Sequence, residues 1–179
     1  MKHTLVAKVM DQPGVLNRVA SLFRRRAFNI DSLTVGHTET DDVSVMTIVV
    51  DTARVPATIV AANLRKLIPV AEVVDVTHLP TVDRDLALIR VGCRPSERAE
   101  LASLVEIFRG RIVDVATESV IVEVTGDEQK VNGLVDLLRP RGISEMVRTG
   151  KVAMVRGSVA EQKPAATGHA HAAAAAATH

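Results

Sequence analysis

Asp11-Gln12-Pro13-Gly14-Val15-Leu16-Asn17-Arg18 follows an apolar run over residues 4–10 and opens a segment in which Val15, Leu16, Val19, Leu22 and Phe23 recur every three or four residues. Alternation before it and helical periodicity after it make the octapeptide a strand-to-helix turn. Pro13 has a fixed φ and no amide hydrogen, which suits the first turn of a helix. Gly14 has no Cβ, so a small ligand can approach the backbone closely there. The first amides of a helix lack intrahelical partners and carry partial positive charge, so a carboxylate can rest on them. The octapeptide is therefore either a turn built from good turn residues or one wall of an anion site.

Outward from this turn the chain spells strand, helix, strand, strand, helix, strand between residues 3 and 79. Residues 28–37 and 43–51 are β-rich and joined by Thr38-Glu39-Thr40-Asp41-Asp42, a polar link of hairpin length. Residues 55–67 give a second helix with Pro56 in its first turn and Pro69 closing it, and the Val-rich run 70–79 is the fourth strand. This βαββαβ order is that of a ferredoxin-like unit with both helices on one face of an antiparallel sheet. Val6, Leu33, Val35, Met46, Ile48 and Val50 suggest apolar side chains on both sheet faces, so a second domain or subunit is expected to cover the other one.

The same order repeats from residue 84 to 157: strand 86–91, helix 96–108, strands 111–117 and 120–125, helix 127–138, and a final strand or hairpin within 143–155. Pro80-Thr81-Val82-Asp83-Arg84 is the natural boundary. The predicted fold is α+β, two tandem ferredoxin-like βαββαβ domains at 3–79 and 84–157. Residues 158–179 form an Ala/His-rich tail predicted to be disordered, because its alanine run is too short to hold a helix and has no apolar face. In the second repeat the loop equivalent to the first is Gly92-Cys93-Arg94-Pro95-Ser96, which has the proline but not the glycine after it.

Composition narrows the function. The 179 residues carry a net charge of +1, no Trp, no Tyr and three Phe, so neither a basic field nor a stacking platform points to nucleic acid. Arg24-Arg25-Arg26 sits where a helix C-terminus welcomes cations; docking on an acidic partner is the other reading. Every apolar run is short and interrupted by charge, which predicts no membrane span and a cytoplasmic protein. Cys93 is the single cysteine and lies in an apolar run, so it reads as a core residue. His169 and His171 lack a third ligand of comparable spacing. No phosphate loop, zinc motif or nucleophile motif appears, so no catalytic residue is expected.

A free amino acid needs amide donors for its carboxylate, oxygen acceptors for its ammonium and a pocket for its side chain. Gly14 and Val15 can supply amides, Asp11 or Asn29 an oxygen, and Val15, Leu16 or Ile30 an apolar wall suited to a small branched side chain. Against this, Asp11 reads equally as a helix N-cap and Asn29 as a turn residue.

The run 11–18 with Leu22-Phe23, the segments Phe28-Asn29-Ile30-Asp31-Ser32-Leu33-Thr34-Val35 and Met46-Thr47-Ile48-Val49-Val50, and in the second half 106–115, 123–126 and Arg148-Thr149-Gly150 closely resemble the acetolactate synthase small-subunit family. The likeness spans about residues 3–157, with an N-terminal ACT domain and the family's C-terminal domain. It implies a regulatory subunit without cofactor of its own. Its partner would be the catalytic large subunit, which carries thiamine diphosphate, Mg and FAD. It also implies a homodimer through the ACT domains, activation of the partner, and feedback inhibition by valine or a related amino acid. Carried over by position, Asp11, Pro13, Gly14, Val15, Leu16, Asn29 and Ile30 are the expected effector-binding residues, with the loop of one chain facing Asn29 of the next. A free-standing tandem ACT sensor acting on another protein is the alternative. Three positions depart from the family: many relatives have Asn at 11, Val45 replaces a common Arg, and Ala27 stands where Gly commonly ends the helix, at a cost of roughly 1 kcal/mol if that residue is left-handed.

Overall fold

The computed structural model describes residues 1–53 and 55–157; the tail expected from residue 158 lies outside them. The first six elements are β1 (Lys2–Met10), α1 (Val15–Arg25), β2 (Asn29–His37), β3 (Val43–Asp51), α2 (Ala57–Leu64) and β4 (Val70–Asp75), which form an antiparallel sheet of order β2-β3-β1-β4. The second set is β5 (Thr81–Gly92), α3 (Arg98–Ile107), β6 (Arg111–Val115), β7 (Ser119–Gly126), α4 (Glu128–Leu138), β8 (Ile143–Arg148) and β9 (Val152–Val155). Its sheet runs β6-β7-β5-β8, with β9 also paired to β5. Two βαββαβ units in tandem are what the sequence pattern predicts.

Each unit has its own core. In the first, Leu5, Met46, Ile48 and Val50 from the sheet meet Val19 and Phe23 of α1 and Leu64 of α2. Leu5, Ile48 and Leu64 are wholly excluded from solvent, and burial of such a side chain is worth about 1.5–3 kcal/mol. The second core sets Ile89 and Val122 of the sheet against Leu101, Leu134 and Leu138, and it includes the buried Cys93.

Helix α1 ends in a full Schellman closure. Phe28 N–H donates to Phe23 O at 3.0 Å and Ala27 N–H to Arg24 O at 3.2 Å, while the Phe23 and Phe28 rings pack edge to face at 5.6 Å. Ala27 takes the left-handed backbone this closure demands, with φ 52°. Helix α3 ends the same way: Gly110 N–H reaches Val105 O at 2.9 Å, and Arg109 is left-handed at φ 50°. Helix α2 is shorter than its predicted span. Pro56 is its extended N-cap rather than a first-turn residue, and Lys66 and Leu67 bond back three residues instead of four, tightening its exit.

Two expectations need correction. The register places Leu33 opposite Ile48 and Val35 opposite Met46, so both join the helix-facing side; of the six residues expected to divide between the faces, only Val6, opposite Thr47, lies on the other. That second face is built instead from Thr4, Val6, Thr47 and Val49, and Thr4, Thr47 and Val49 are buried. What covers them comes from the supposed linker. Residues 81–84 are not a loop but the first third of β5, paired with β9, and Ala153 of β9 and Thr81 of β5 line a shallow recess with Thr4 and Val49. β8 and β9 follow one another along the same edge of β5, interrupted only at residues 149–151.

Left-handed Ala27 identifies a stabilising change. Ala27→Gly removes the Cβ penalty at positive φ, offset in part by the greater freedom of unfolded glycine. The expected result is a net gain of about 0.5–1 kcal/mol, seen as a higher urea midpoint for the N-terminal unit; a lower midpoint would refute the account.

Candidate binding site

Gly14 is the N-cap of α1, with φ 86°, and no side chain caps the helix. A Cβ at this position would meet nothing within 4 Å. Glycine is thus required by the backbone conformation, while the space above it stays open. Val15 N–H donates to Gln12 O at 3.2 Å and Arg18 N–H to Gly14 O at 3.0 Å. The amides of Gly14, Leu16 and Asn17 have no backbone partner among the described residues, which leaves a donor cluster at the positive end of the helix.

The other predicted residues fall less uniformly. Pro13 precedes the N-cap, so it shapes the turn rather than entering the helix. Asp11 is not an N-cap: its carboxylate lies 3.1 Å from His37 Nδ1, and its amide donates to Asp42 O at 2.7 Å. Val15 is 6% exposed and packs in the core, so neither its side chain nor its amide faces the opening. Leu16, 49% exposed, does. Ile30 is half-buried and packs against the first core. His37 was not among the expected residues. The hairpin register could have found it, because β2 ends beside β3 where Met10, the neighbour of Asp11, pairs with Val43.

Asn29 is exposed and lies at the opposite end of the sheet. It pairs with Asp51 at the last residue of β3, whereas Met10 pairs with Val43 at the first. Eight residues of strand at about 3.3 Å each separate these ends by roughly 25 Å. Asn29 helps line a separate recess of about 320 Å³ with Ala27, Phe28, Asp51 and Val55. Within one chain, therefore, the loop and Asn29 cannot touch one ligand. Strand β2 is an edge strand, and its outer hydrogen-bonding groups are available to another chain.

The second repeat closes what the first leaves open. Arg94 N–H donates to Glu97 Oε2 at 3.0 Å, and the Arg94 guanidinium holds the same carboxylate at 2.9 and 3.2 Å. The chain's own carboxylate occupies this loop. Bonds from the Arg94 side chain, then from its amide, outweigh desolvation and hold Glu97 down at about 2. Among the described residues no group of three or more His, Cys, Asp or Glu could hold a metal ion, and no helix is long and apolar enough to cross a membrane.

Comparison with known proteins follows this division. Residues 5–72 match the "AHAS small subunit-like ACT domain" and residues 84–157 the "Small subunit of acetolactate synthase" family. The chain is 55% identical over 158 residues to the probable acetolactate synthase small subunit of Archaeoglobus fulgidus, covering 88% of this chain and 99% of that protein. It is 43% identical to the Bacillus subtilis acetolactate synthase small subunit, covering 88% and 92%. The crystal structure of the Thermotoga maritima small subunit superposes with a TM-score of 0.80 at 40% identity, covering 87% of this chain and 98% of that one.

The sealed second loop has a pH signature. Glu97 titrates below its ordinary value of 4.5, so its stabilisation is complete above pH 4.5 and disappears as pH falls toward 2. Glu97→Gln is expected to be less stable than the parent chain at pH 6 and equal to it near pH 2. Denaturation midpoints across this range check it; a difference independent of pH would contradict the assignment.

Proposed function

The chain belongs to the acetolactate synthase small-subunit family, and on that premise we propose that it is the non-catalytic regulatory subunit of a holoenzyme in branched-chain amino-acid biosynthesis. It binds a catalytic large subunit, raises its activity and makes it sensitive to inhibition by valine or a related amino acid. Thiamine diphosphate, Mg and FAD belong to that partner, and the complex works in the cytoplasm.

One observation carries the effector site: Gly14 and Asn29 lie at opposite ends of the sheet, while β2, which bears Asn29, is an edge strand. If β2 pairs antiparallel with β2 of a second copy about a two-fold axis near Leu33, Asn29 of that copy lies opposite His37, beside Asp11 and the Gly14 loop. Neither chain holds the whole pocket; two together hold two. In each, the amides of Gly14 and Leu16 receive the effector carboxylate and Leu16 contacts its side chain. Asp11, steadied by His37, and Asn29 take its ammonium. Ile30 and Val15 support the walls from the core.

Reconstitution with the large subunit tests both claims, with acetolactate formation measured with and without valine. Alone, the chain should form none; with its partner it should activate, and valine should reverse the gain. Gly14→Asp places a carboxylate on the anion site and is expected to keep activation while losing inhibition. Asn29→Ala is expected to do the same. Mixing the two variants is decisive for the shared pocket: a mixed dimer regains one intact site, so about a quarter of pockets recover in a random mixture. No recovery would show that both residues serve the same chain.

A further inference from the structure

A cleft of about 350 Å³ lies between the two units, and its walls hold Lys2 and Asp31 from the first and Asp85, Glu128, Arg148 and Lys151 from the second. Its charges are spent internally. Lys2 Nζ reaches Asp31 at 2.9 Å and Glu128 at 3.6 Å; Arg148 pairs with the buried Asp85 and donates to Asn132 at 2.8 Å; Lys151 lies 3.3 Å from Asp83. The cleft is therefore a joint, not a ligand site.

What crosses it is specific. Between β8 and β9 the chain leaves β5 and turns onto β2. Lys151 N–H donates to Ser32 Oγ at 3.2 Å, and Thr34 Oγ1 donates to Thr149 O at 3.3 Å. Gly150, at the apex, has φ 86°, and a Cβ there would stand 2.7 Å from Ser32 Oγ. A side chain here would be strained by the left-handed backbone and would push Ser32 aside. The same strap is anchored to its own unit, since Thr149 N–H reaches Leu86 O at 3.0 Å and Leu86 N–H donates to Thr149 Oγ1 at 3.1 Å. On the other side, the register of β2 shifts between Ile30 and Ser32. That bulge leaves Asp31 unpaired in the ladder, and its carboxylate takes Lys2, which also reaches Glu128 at the start of α4.

Resting on the effector site proposed above, the geometry points to the strap at residues 149–151, with the Lys2 bridge, as the element by which effector occupancy at Asn29 and Ile30 is transmitted to the C-terminal unit. Ile30 immediately precedes the bulge and Ser32 follows it. A shift of β2 on binding displaces the two groups the strap grips. The contacts are few, and the ion pairs are about half-exposed, so the seam can yield without unfolding either core. Ser32, Thr34, Gly150 and Lys2 are positioning residues; none touches the effector.

Hydrogen–deuterium exchange on the full chain, with and without saturating valine, separates this inference from the one beneath it. Altered exchange at residues 14–17 and 29–30 reports the pocket, and a change of threefold or more at 148–152 reports the strap. Change at the first set alone overturns the inference and spares the site; change at neither removes the site and the inference with it. In the reconstituted holoenzyme, Gly150→Ala is expected to activate within twofold of the parent chain and to need at least tenfold more valine for half-inhibition. The Ser32→Ala, Thr34→Val double variant, which keeps glycine at the apex, should act likewise. Parental inhibition in the double variant overturns the inference.

Discussion

Strand β2 is the constraint on which the rest of the molecule depends. It lies at the edge of a four-stranded sheet, so one side of its backbone is paired with β3 and the other is not. Unpaired edge groups invite another strand. The side chains of β2 divide three ways: Ile30, Leu33 and Val35 face the helices, Ser32 and Thr34 face the second unit, and Asn29 and His37 mark the two ends. The proposed dimer contact, a proposed binding residue and an interdomain contact thus share nine residues.

Magnitudes explain why such a strand can carry regulation. Each core is held by fully buried aliphatic side chains worth about 1.5–3 kcal/mol apiece. The interdomain hydrogen bonds are worth about 0.5–1.5 kcal/mol each and the half-exposed ion pairs about 0–1 kcal/mol. The strap and the Lys2 bridge together therefore amount to a few kcal/mol, the scale of typical coupling free energies between sites, about 1–3 kcal/mol. Binding a small molecule can shift such a seam while leaving both sheets intact. Asp85 with Arg148, beside it, is different: that carboxylate is buried, and removing Arg148 leaves a desolvated charge.

Much of this architecture was legible in the sequence, for local reasons. Alternation and helical spacing are properties of short windows, so the two βαββαβ units and the Thr38–Asp42 hairpin could be read directly, whereas a left-handed Ala27 followed only as a condition of the family resemblance. The missing glycine in the second loop signalled that the repeats differ, though not that Glu97 fills the space. What escaped depends on pairing between distant segments. Thr81–Arg84 looked like a linker because its partner, β9, lies some seventy residues away. That Leu33 and Val35 share the helix-facing side escaped because the bulge at Asp31 reverses the alternation after it. His37 went unnoticed because its meeting with Asp11 needs the register of three strands at once.

The late position of β9 affects the order of synthesis. All four strands of the first sheet are complete by Asp75, yet β9, whose Ala153 shares a recess with Thr4 and Val49, ends at Val155. At about 5–20 residues per second, a ribosome needs roughly 4–16 s to add the intervening stretch. For that interval the strands of the first sheet, the outer edge of β2 among them, exist without the second unit beside them. On a polysome, neighbouring nascent copies would carry the same edge close together, so pairing between them can begin before the covering strand exists. Assembly would then precede the closing of the seam, and the proposed regulatory connection would form late in synthesis.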